Sequence, residues 1–242
     1  MGRLYLAAGA EGIDIDQIQA AREKTENDGG SFDPLSFVVE KLDDDAFDRF
    51  YNNFVEMTEH PILTPEAFRF LLRLQIANIP HSIMTYGVNP AWQKLKIEAG
   101  GMRFRTATQI MSTTDKGIEI ARHRGEDGFY TYGQMLGGHD IYNARSVALV
   151  DDKAKSFGNL PEGCSGFLLR TSDQLLTSQR GEVPEGVIVI RSLDELHVHE
   201  GRLQAVPDAL PESLEQVSNN VRHILSRQGA FNAYLPYLPA VA

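Results

Sequence analysis

The sequence predicts an α/β fold: a mostly parallel, Rossmann-like sheet in three α/β/α layers, with a small helical cap. The first observation is a series of short apolar segments that alternate with segments of helical periodicity. The second is that polar side chains follow several of these segments directly, as at the carboxyl ends of strands in open α/β sheets. The third is a stretch with helical spacing and no convincing strand over residues 13–58.

The composition of the 242 residues is that of an ordinary globular protein, with 42% hydrophobic and 23% charged residues. The formal net charge of −10 argues against nucleic acid or an anionic membrane as a partner, because both are negatively charged. No apolar run reaches the length of about 18 residues that a membrane span needs. The N-terminus is a poor signal peptide, and a single cysteine, Cys164, favours a reducing compartment. We therefore expect a cytoplasmic protein.

The first part of the chain is predicted to be helical. Residues 3–11 read as the end of a helix, and Asp14 or Asp16 then caps a second one. The stretch 46–57 is amphipathic, because aromatic side chains recur at a spacing of three and four. These side chains are Phe47, Phe50, Tyr51 and Phe54. We predict a helical cap over residues 13–60.

Helices and strands alternate in the second part of the chain, over residues 61–206. Thr64 caps the first helix of this part, and Pro65 takes its first position. The strands are predicted over residues 79–84, 107–111, 146–150, 166–169 and 186–190. Because helical crossovers join parallel strands, this order predicts a mostly parallel sheet. A helical tail over residues 207–242, with its helix at 213–227, is expected to pack on this core.

Two adjacent acids, Asp151 and Asp152, follow the apolar segment 146–150. The pattern predicts a buried strand whose carboxyl end carries both carboxylates. Like charges so close together repel each other and require solvation, whereas they suit a hard cation such as Mg²⁺. A loop start with a helix cap is the alternative interpretation.

Two further features follow predicted strands. Thr85 comes after the strand 79–84, and its hydroxyl, together with the next backbone N–H groups, can bind a phosphate oxygen. Lys116 follows the strand 107–111 and opens a helix, and its ammonium can neutralise an oxyanion. Taken singly, Thr85 reads as a turn residue and Lys116 as a solvated surface lysine. The order of the features is what favours phosphate chemistry.

In this order the segments resemble the motifs of the haloacid dehalogenase-like (HAD) hydrolase superfamily. Residues 83–87 resemble its second motif, a hydrophobic strand that ends in serine or threonine. Residues 113–117 resemble the lysine motif, and residues 147–152 resemble the acidic fourth motif. The helical stretch 13–58 stands where the family inserts a cap. The resemblance covers roughly residues 13–190.

The resemblance implies Mg²⁺-dependent hydrolysis of a phosphate monoester, with a small phosphorylated metabolite as the partner. Thr85 and Lys116 would be the catalytic residues. The phosphate-binding residues would be Thr85, Tyr86, Gly87 and Lys116. Asp151 and Asp152 would hold Mg²⁺, which polarises the phosphate.

One motif of the family has no counterpart. Members begin with a strand that ends in Asp-x-Asp, whose first aspartate is the nucleophile. No suitable segment stands before residue 13, and the nearest Asp-x-Asp, Asp14-Ile15-Asp16, suits a helix cap better than a strand end. We therefore expect little or no phosphatase turnover and weak Mg²⁺ binding. The alternatives are a non-catalytic protein that binds a phosphate ligand or another protein, and a fragment of an ordinary enzyme.

The missing strand would lie in the middle of the family's sheet, and its loss would leave two inner edges unpaired. One hypothesis recruits residues 3–8 into this place as a short strand, although their alanine content favours helix. The other is a sheet that is split or closed up around the gap.

Three other features read as structural. His197 and His199 form a pair that we expect to be solvated, and Cys164 lies in a loop before a strand. The acids 43–45 suit the start of a helix, where they complement its dipole.

Overall fold

The structure is a computed structural model that describes residues 2–28, 32–57, 62–100, 107–111, 115–133, 141–171 and 181–206. The described helices are α1 (Gly2–Ala10), α2 (Ile15–Asn27), α3 (Pro34–Val39), α4 (Asp44–Glu56), α5 (Pro65–Ile76), α6 (Pro90–Ala99) and α7 (Lys116–Arg122). The described strands are β1 (Ser82–Tyr86), β2 (Ala107–Met111), β3 (Tyr130–Gly133), β4 (Ile141–Ala144), β5 (Ala148–Asp151), β6 (Ser165–Leu169), β7 (Val187–Ile190), β8 (Leu196–His199) and β9 (Arg202–Ala205). The described residues also form 3-10 helices at Ala154–Phe157 and Leu193–Glu195.

The chain divides into two compact units. Unit 1 comprises Met1–Leu63, Ser82–Thr114 and Gly133–Ile141. Unit 2 comprises the remaining stretches: Thr64–His81, Asp115–Tyr132 and Tyr142–Ala242. The domain boundaries expected from the sequence, at residues 13–60, 61–206 and 207–242, stay predictions.

The helices begin where capping residues stand in the sequence. The carboxylate of Asp14 accepts a hydrogen bond from the Asp16 N–H at 2.9 Å and starts α2. In the same way Asp43 accepts from the Ala46 N–H at 2.8 Å and starts α4. Thr64 caps α5, with Pro65 at its first position. The caps predicted at Asp14 and Thr64 are confirmed, and the acids 43–45 lie at a helix start as expected.

Unit 1 has an aromatic core built largely by α4. Phe50 is fully buried, and its ring centroid lies 6.0 Å from those of both Phe47 and Phe54. The ring of Phe54 in turn lies 5.3 Å from that of Trp92 in α6. The helical spacing of these aromatic residues therefore marks a buried face, as the sequence predicts.

Arg3 of α1 ties two helix ends of unit 1 together. Its guanidinium donates to the carbonyls of Phe54 and Val55, at the end of α4, and of Ala99, at the end of α6. The last carbonyls of a helix have no intrahelical donor, so these bonds satisfy otherwise unpaired acceptors. Because Arg3 is buried, the loss of hydration lowers the pKa of its guanidinium.

The hypothesis that residues 3–8 form a strand is wrong, since they lie inside α1. Leu4, Ala7 and Ala8 are buried on one side of this helix, where they pack into the core of unit 1. Alanine favours helix over strand, and here the helix also buries its apolar face.

The parallel strand pairing expected from the sequence is present in two separate sheets. In unit 1, β1 and β2 pair in parallel, with Thr85 opposite Ile110. In unit 2, β5, β6 and β7 form a parallel sheet in that order, with Val150 opposite Phe167. The prediction of a mixed α/β fold is confirmed. None of the described helices has the length and the apolar character that crossing a bilayer requires.

The core of unit 2 lies on the three-stranded sheet. Phe167 and Ile190 contribute from the strands and Phe70 and Leu74 from α5, with Leu196 completing the cluster. All five side chains are buried. The sheet and α5 therefore bury their apolar surfaces against each other, which is the main stabilising contribution for packed layers of this kind.

The sequence interpretation differs from the structure at several element boundaries. The strand predicted at residues 79–84 is Ser82–Tyr86, and the strand predicted at residues 146–150 is Ala148–Asp151. The hairpin of β8 and β9 was not predicted, and β8 contains His197 and His199. The helix predicted at residues 213–227 and the tail 207–242 lie outside the described residues.

Candidate functional site

The most compact charged group among the predicted site residues is an ion pair between Lys116 and Asp151 in unit 2. Lys116 is the first residue of α7, and Asp151 is the last residue of β5. The ammonium of Lys116 donates to Oδ2 of Asp151. The two side chains are 15% and 5% exposed, so the pair is largely removed from water.

Local backbone contacts hold both partners of this pair. Asp115 caps α7, because its Oδ1 accepts from the N–H of Ile118 at 3.1 Å, and this sets the direction in which Lys116 leaves the helix. The second oxygen of Asp151 accepts from the Lys153 N–H at 2.8 Å. A carboxylate that bonds the backbone two residues ahead is restricted in rotation, so Asp151 presents Oδ2 to Lys116.

Because this pair is largely removed from water, each of its charges has to be compensated by the other. A largely desolvated carboxylate is strongly unfavourable without a compensating cation, and Lys116 supplies one. The ammonium has three donors and uses one on Asp151, so it can bind a further oxyanion without releasing the carboxylate.

The magnesium site expected at Asp151 and Asp152 stays a prediction. Asp152 is exposed beside the buried Asp151. Within the described part of the chain, no group of three or more His, Cys, Asp or Glu residues is placed to hold a metal ion. Because Asp151 already holds Lys116, a cation there would compete with an ammonium. Mg²⁺ can bind through one or two carboxylates when a phosphate and waters complete its shell, so these residues fit it weakly.

Thr85, Tyr86 and Gly87 belong to unit 1, where Thr85 bonds the neighbouring helix. Its hydroxyl donates to Oε1 of Gln93 in α6 at 3.0 Å. Gln93 is buried, and its side chain occupies the space that a Cβ at Gly87 would need. The glycine therefore permits the Thr85–Gln93 contact. To donate to a phosphate oxygen, the hydroxyl of Thr85 would have to turn away from Gln93.

The remaining candidates have structural contacts. Asp14, the nearest aspartate to a displaced first motif, caps α2. Cys164 precedes β6, as predicted, and its thiol donates to the hydroxyl of Tyr130 at 3.2 Å. Asp115 and Asn159 lie near Lys116 and bond each other, but the sequence analysis does not identify them as site residues. The aspartate immediately before a helix start is a capping signal that could have identified Asp115.

Tyr130 provides a pH-dependent test of this part of unit 2. Its burial, with the hydrogen bond from Cys164 added, raises the pKa of Tyr130 to about 12. The folded protein therefore keeps a proton that the unfolded chain releases above its ordinary pKa of 10.0. We therefore expect the contribution of Tyr130 to stability to be lost as the pH rises from 10 towards 12.

Unfolding of wild type and Tyr130→Phe by urea at a series of alkaline pH values measures this dependence. The variant should lose less stability than the wild type as the pH rises from 10 towards 12. Identical slopes for the two proteins over that window would contradict the prediction.

Comparisons of the chain with protein-family models, with curated proteins and with solved structures find no match. The functional argument therefore depends on the contacts described above and on the motifs in the sequence. Of those contacts, the Lys116–Asp151 pair is the one that joins two predicted site residues directly.

Proposed function

We propose that this chain is a HAD-like protein with a three-layer, Rossmann-like core, located in the cytoplasm, that binds the phosphate group of a small phosphorylated metabolite through Lys116. The observation that carries the proposal is the buried pair of Lys116 and Asp151. These residues are 35 positions apart and follow two different predicted strands. Each matches a motif of the same family, and the pairing of a lysine with the acidic motif suits a phosphoryl-group site.

The role proposed for Lys116 follows from its donors. Its ammonium neutralises negative charge on a phosphate oxygen, while Asp151 holds it in position. The assignment of Thr85, Tyr86 and Gly87 to phosphate binding depends on the motif alone and stays a prediction. Asp151 and Asp152 would hold Mg²⁺, and the ion would supply polarisation of the phosphate when bound.

We propose that hydrolysis by this chain is slow or absent. The two Asp-x-Asp sequences, at residues 14–16 and 43–45, both lie at helix starts, where Asp14 and Asp43 accept backbone hydrogen bonds. A carboxylate engaged as a cap in the first turn of a helix is poorly suited to attack phosphorus. Non-catalytic binding of a phosphate ligand is the second candidate, and it is favoured by Lys116, whose remaining ammonium donors can bond a phosphate oxygen without Mg²⁺.

The test of phosphate binding uses inorganic phosphate as the probe and calorimetry as the measurement. Lys116→Met should weaken phosphate binding about tenfold or more, because a charge-assisted hydrogen bond contributes roughly 1.5–3 kcal/mol. Lys155→Met is the matched control, since Lys155 is an exposed lysine of the same unit. Equal phosphate binding by Lys116→Met and wild type would contradict the proposal.

The same proteins are then assayed for hydrolysis of an aryl phosphate with and without Mg²⁺. We expect no significant turnover. Turnover that Asp151→Asn abolishes would overturn the proposal of impaired hydrolysis, and turnover that Asp14→Asn abolishes would identify Asp14 as a displaced nucleophile. Phosphate binding that is independent of Mg²⁺ would favour the non-catalytic candidate.

A further inference from the structure

The start of α7 is held against a second segment of unit 2 at three adjacent residues. Asp115 caps the helix with Oδ1, and its Oδ2 accepts a hydrogen bond from the side-chain amide of Asn159. Asn159 follows the 3-10 helix Ala154–Phe157, which comes directly after β5. The two segments that carry Lys116 and Asp151 are therefore connected a second time, by Asp115 and Asn159.

Gly117 allows the backbones of these segments to approach closely. A Cβ placed on Gly117 would lie 2.5 Å from both the carbonyl carbon and the oxygen of Asn159, and 2.6 Å from the Leu160 nitrogen. Real Cβ atoms essentially never come this near to backbone atoms, so any side chain at position 117 would separate the segments. Gly117 is buried and directly follows Lys116.

We propose that Asp115, Gly117 and Asn159 form a clasp that positions the ammonium of Lys116 on Asp151. This inference rests on the proposed function in one respect, because the three residues are positioning residues of a phosphate site only if Lys116 binds phosphate. Lys116 has a long, flexible side chain, and its Nζ reaches Asp151 only if the first turn of α7 stays at this distance from residues 159–160. The Asp115 cap orients α7, and Gly117 sets the distance between the backbone of α7 and residues 159–160. The side-chain amide of Asn159 prevents α7 from sliding along that segment.

The clasp explains why a seven-residue helix can hold a buried charge. Short helices are marginal on their own, and their ends fray unless tertiary contacts hold them. The contacts of Asp115 and Gly117 with the segment after the 3-10 helix replace the stability that a longer helix would have. Lys116 lies between these two residues in the sequence.

The clasp is tested by the chemical reactivity of Lys116, which does not require activity of the protein. Limiting acetic anhydride is added to the folded protein, and acetylation of each lysine is measured by mass spectrometry relative to the exposed Lys155. Gly117→Ala should raise the relative acetylation of Lys116 roughly tenfold, since a tenfold change corresponds to a loss of about 1.4 kcal/mol in the contact between its ammonium and Asp151. Gly158→Ala is the matched control, because a Cβ there would have no neighbour nearer than 3.6 Å.

A second variant covers the case in which Gly117→Ala does not fold. Asn159→Asp places a carboxylate against Asp115 and should also raise the acetylation of Lys116, whereas it leaves Gly117 in place. Unchanged acetylation of Lys116 in a folded Gly117→Ala protein, or in Asn159→Asp where the glycine variant does not fold, would overturn the clasp.

Phosphate binding is measured on the same variants, so that the clasp and the proposed function are tested separately. If wild type binds phosphate, the variants should bind it about tenfold more weakly, with Gly158→Ala unchanged. Raised acetylation with no phosphate binding by wild type supports the clasp and contradicts the proposed function. Raised acetylation with unweakened phosphate binding overturns the positioning role.

Discussion

Replacing Asp194 with alanine should lower the free energy of unfolding by about 3–5 kcal/mol, because it removes the carboxylate that two half-buried arginines share. Arg69 donates to both oxygens of Asp194, and Arg73 donates to one of them at 3.2 Å. The side chains of the arginines are each 13% exposed, and that of Asp194 is 6% exposed. Removing one member of a desolvated ion pair leaves a charge that neither water nor protein compensates.

The position of Asp194 increases the loss of stability expected for Asp194→Ala. It lies in the 3-10 helix Leu193–Glu195, which precedes β8, while both arginines lie in α5. Arg73 also donates to the Leu193 carbonyl at 2.7 Å, and Glu66 of α5 accepts from the Ser192 hydroxyl at 3.0 Å. The carboxylate is therefore the centre of the polar contacts that hold this turn on α5.

The pH dependence of the effect has a definite sign. Burial acts to raise the pKa of Asp194, but the hydrogen bonds and charges of Arg69 and Arg73 outweigh it and lower the pKa below the ordinary value of 3.8. A carboxyl group whose pKa is lower in the folded protein stabilises the fold fully at pH values above its pKa in the unfolded chain. This stability is lost as the pH falls through its pKa in the folded protein. The difference between wild type and Asp194→Ala should therefore shrink below pH 3.8.

Urea unfolding followed by circular dichroism, at neutral pH and in acid, measures both effects. The control is Arg22→Ala, which breaks a more exposed pair with Glu26 on one helix face and should change stability by no more than about 0.5 kcal/mol. A loss below about 1 kcal/mol for Asp194→Ala would show that the arginines find other compensation, contrary to the prediction.

The parts of the fold that the sequence predicts are those with local causes. A cap such as Asp14 or Thr64 accepts a hydrogen bond from an N–H two or three residues ahead, so its sequence signal spans only a few residues. The same holds for the apolar segment that becomes β5, although the strand begins at Ala148 and includes Asp151. The boundaries moved because sheet pairing with β6, and not apolar character, decides which residues are extended.

The missed hairpin of β8 and β9 shows where local signals fail. Its turn residues Glu200 and Gly201 both have positive φ, of 50° and 74°. Such turns normally have asparagine or aspartate in the first place, so a glutamate there gives no turn signal. The antiparallel pairing with β9, in which His197 lies opposite Gln204, overrides this local preference.

In the candidate site, too, local sequence signals identify some residues and miss others. Lys116 and Asp151 were selected because each follows a predicted strand and matches a motif, and the structure places them in contact. Asn159 was not selected, because its contact with Asp115 spans 44 positions and no local pattern marks it. Likewise the hydroxyl of Thr85 was assigned to phosphate, whereas its bond to Gln93 depends on how α6 packs on β1.

Phe50→Ala should destabilise unit 1 by about 3–5 kcal/mol, because it leaves a cavity at the centre of the aromatic cluster. Phe50 has no exposed surface, and the rings of Phe47 and Phe54 lie on either side of it in the same helix. Helix α4 cannot move inwards to fill the space, since its C-terminal carbonyls at Phe54 and Val55 are held by Arg3. The cavity therefore stays open, so collapse of the site does not offset the loss.

Val39→Ala is the matched control, because Val39 lies in the same unit but is 51% exposed and should change stability by less than about 0.5 kcal/mol. Hydrogen exchange of the amides of α1 and α4 reports the stability of unit 1 directly. Exchange in Phe50→Ala should accelerate at Ala7, Ala8 and Phe54, which belong to the same core. If exchange at these amides matched that of Val39→Ala, α4 would have to relax despite the Arg3 contacts, and the role given to Arg3 would be wrong as well.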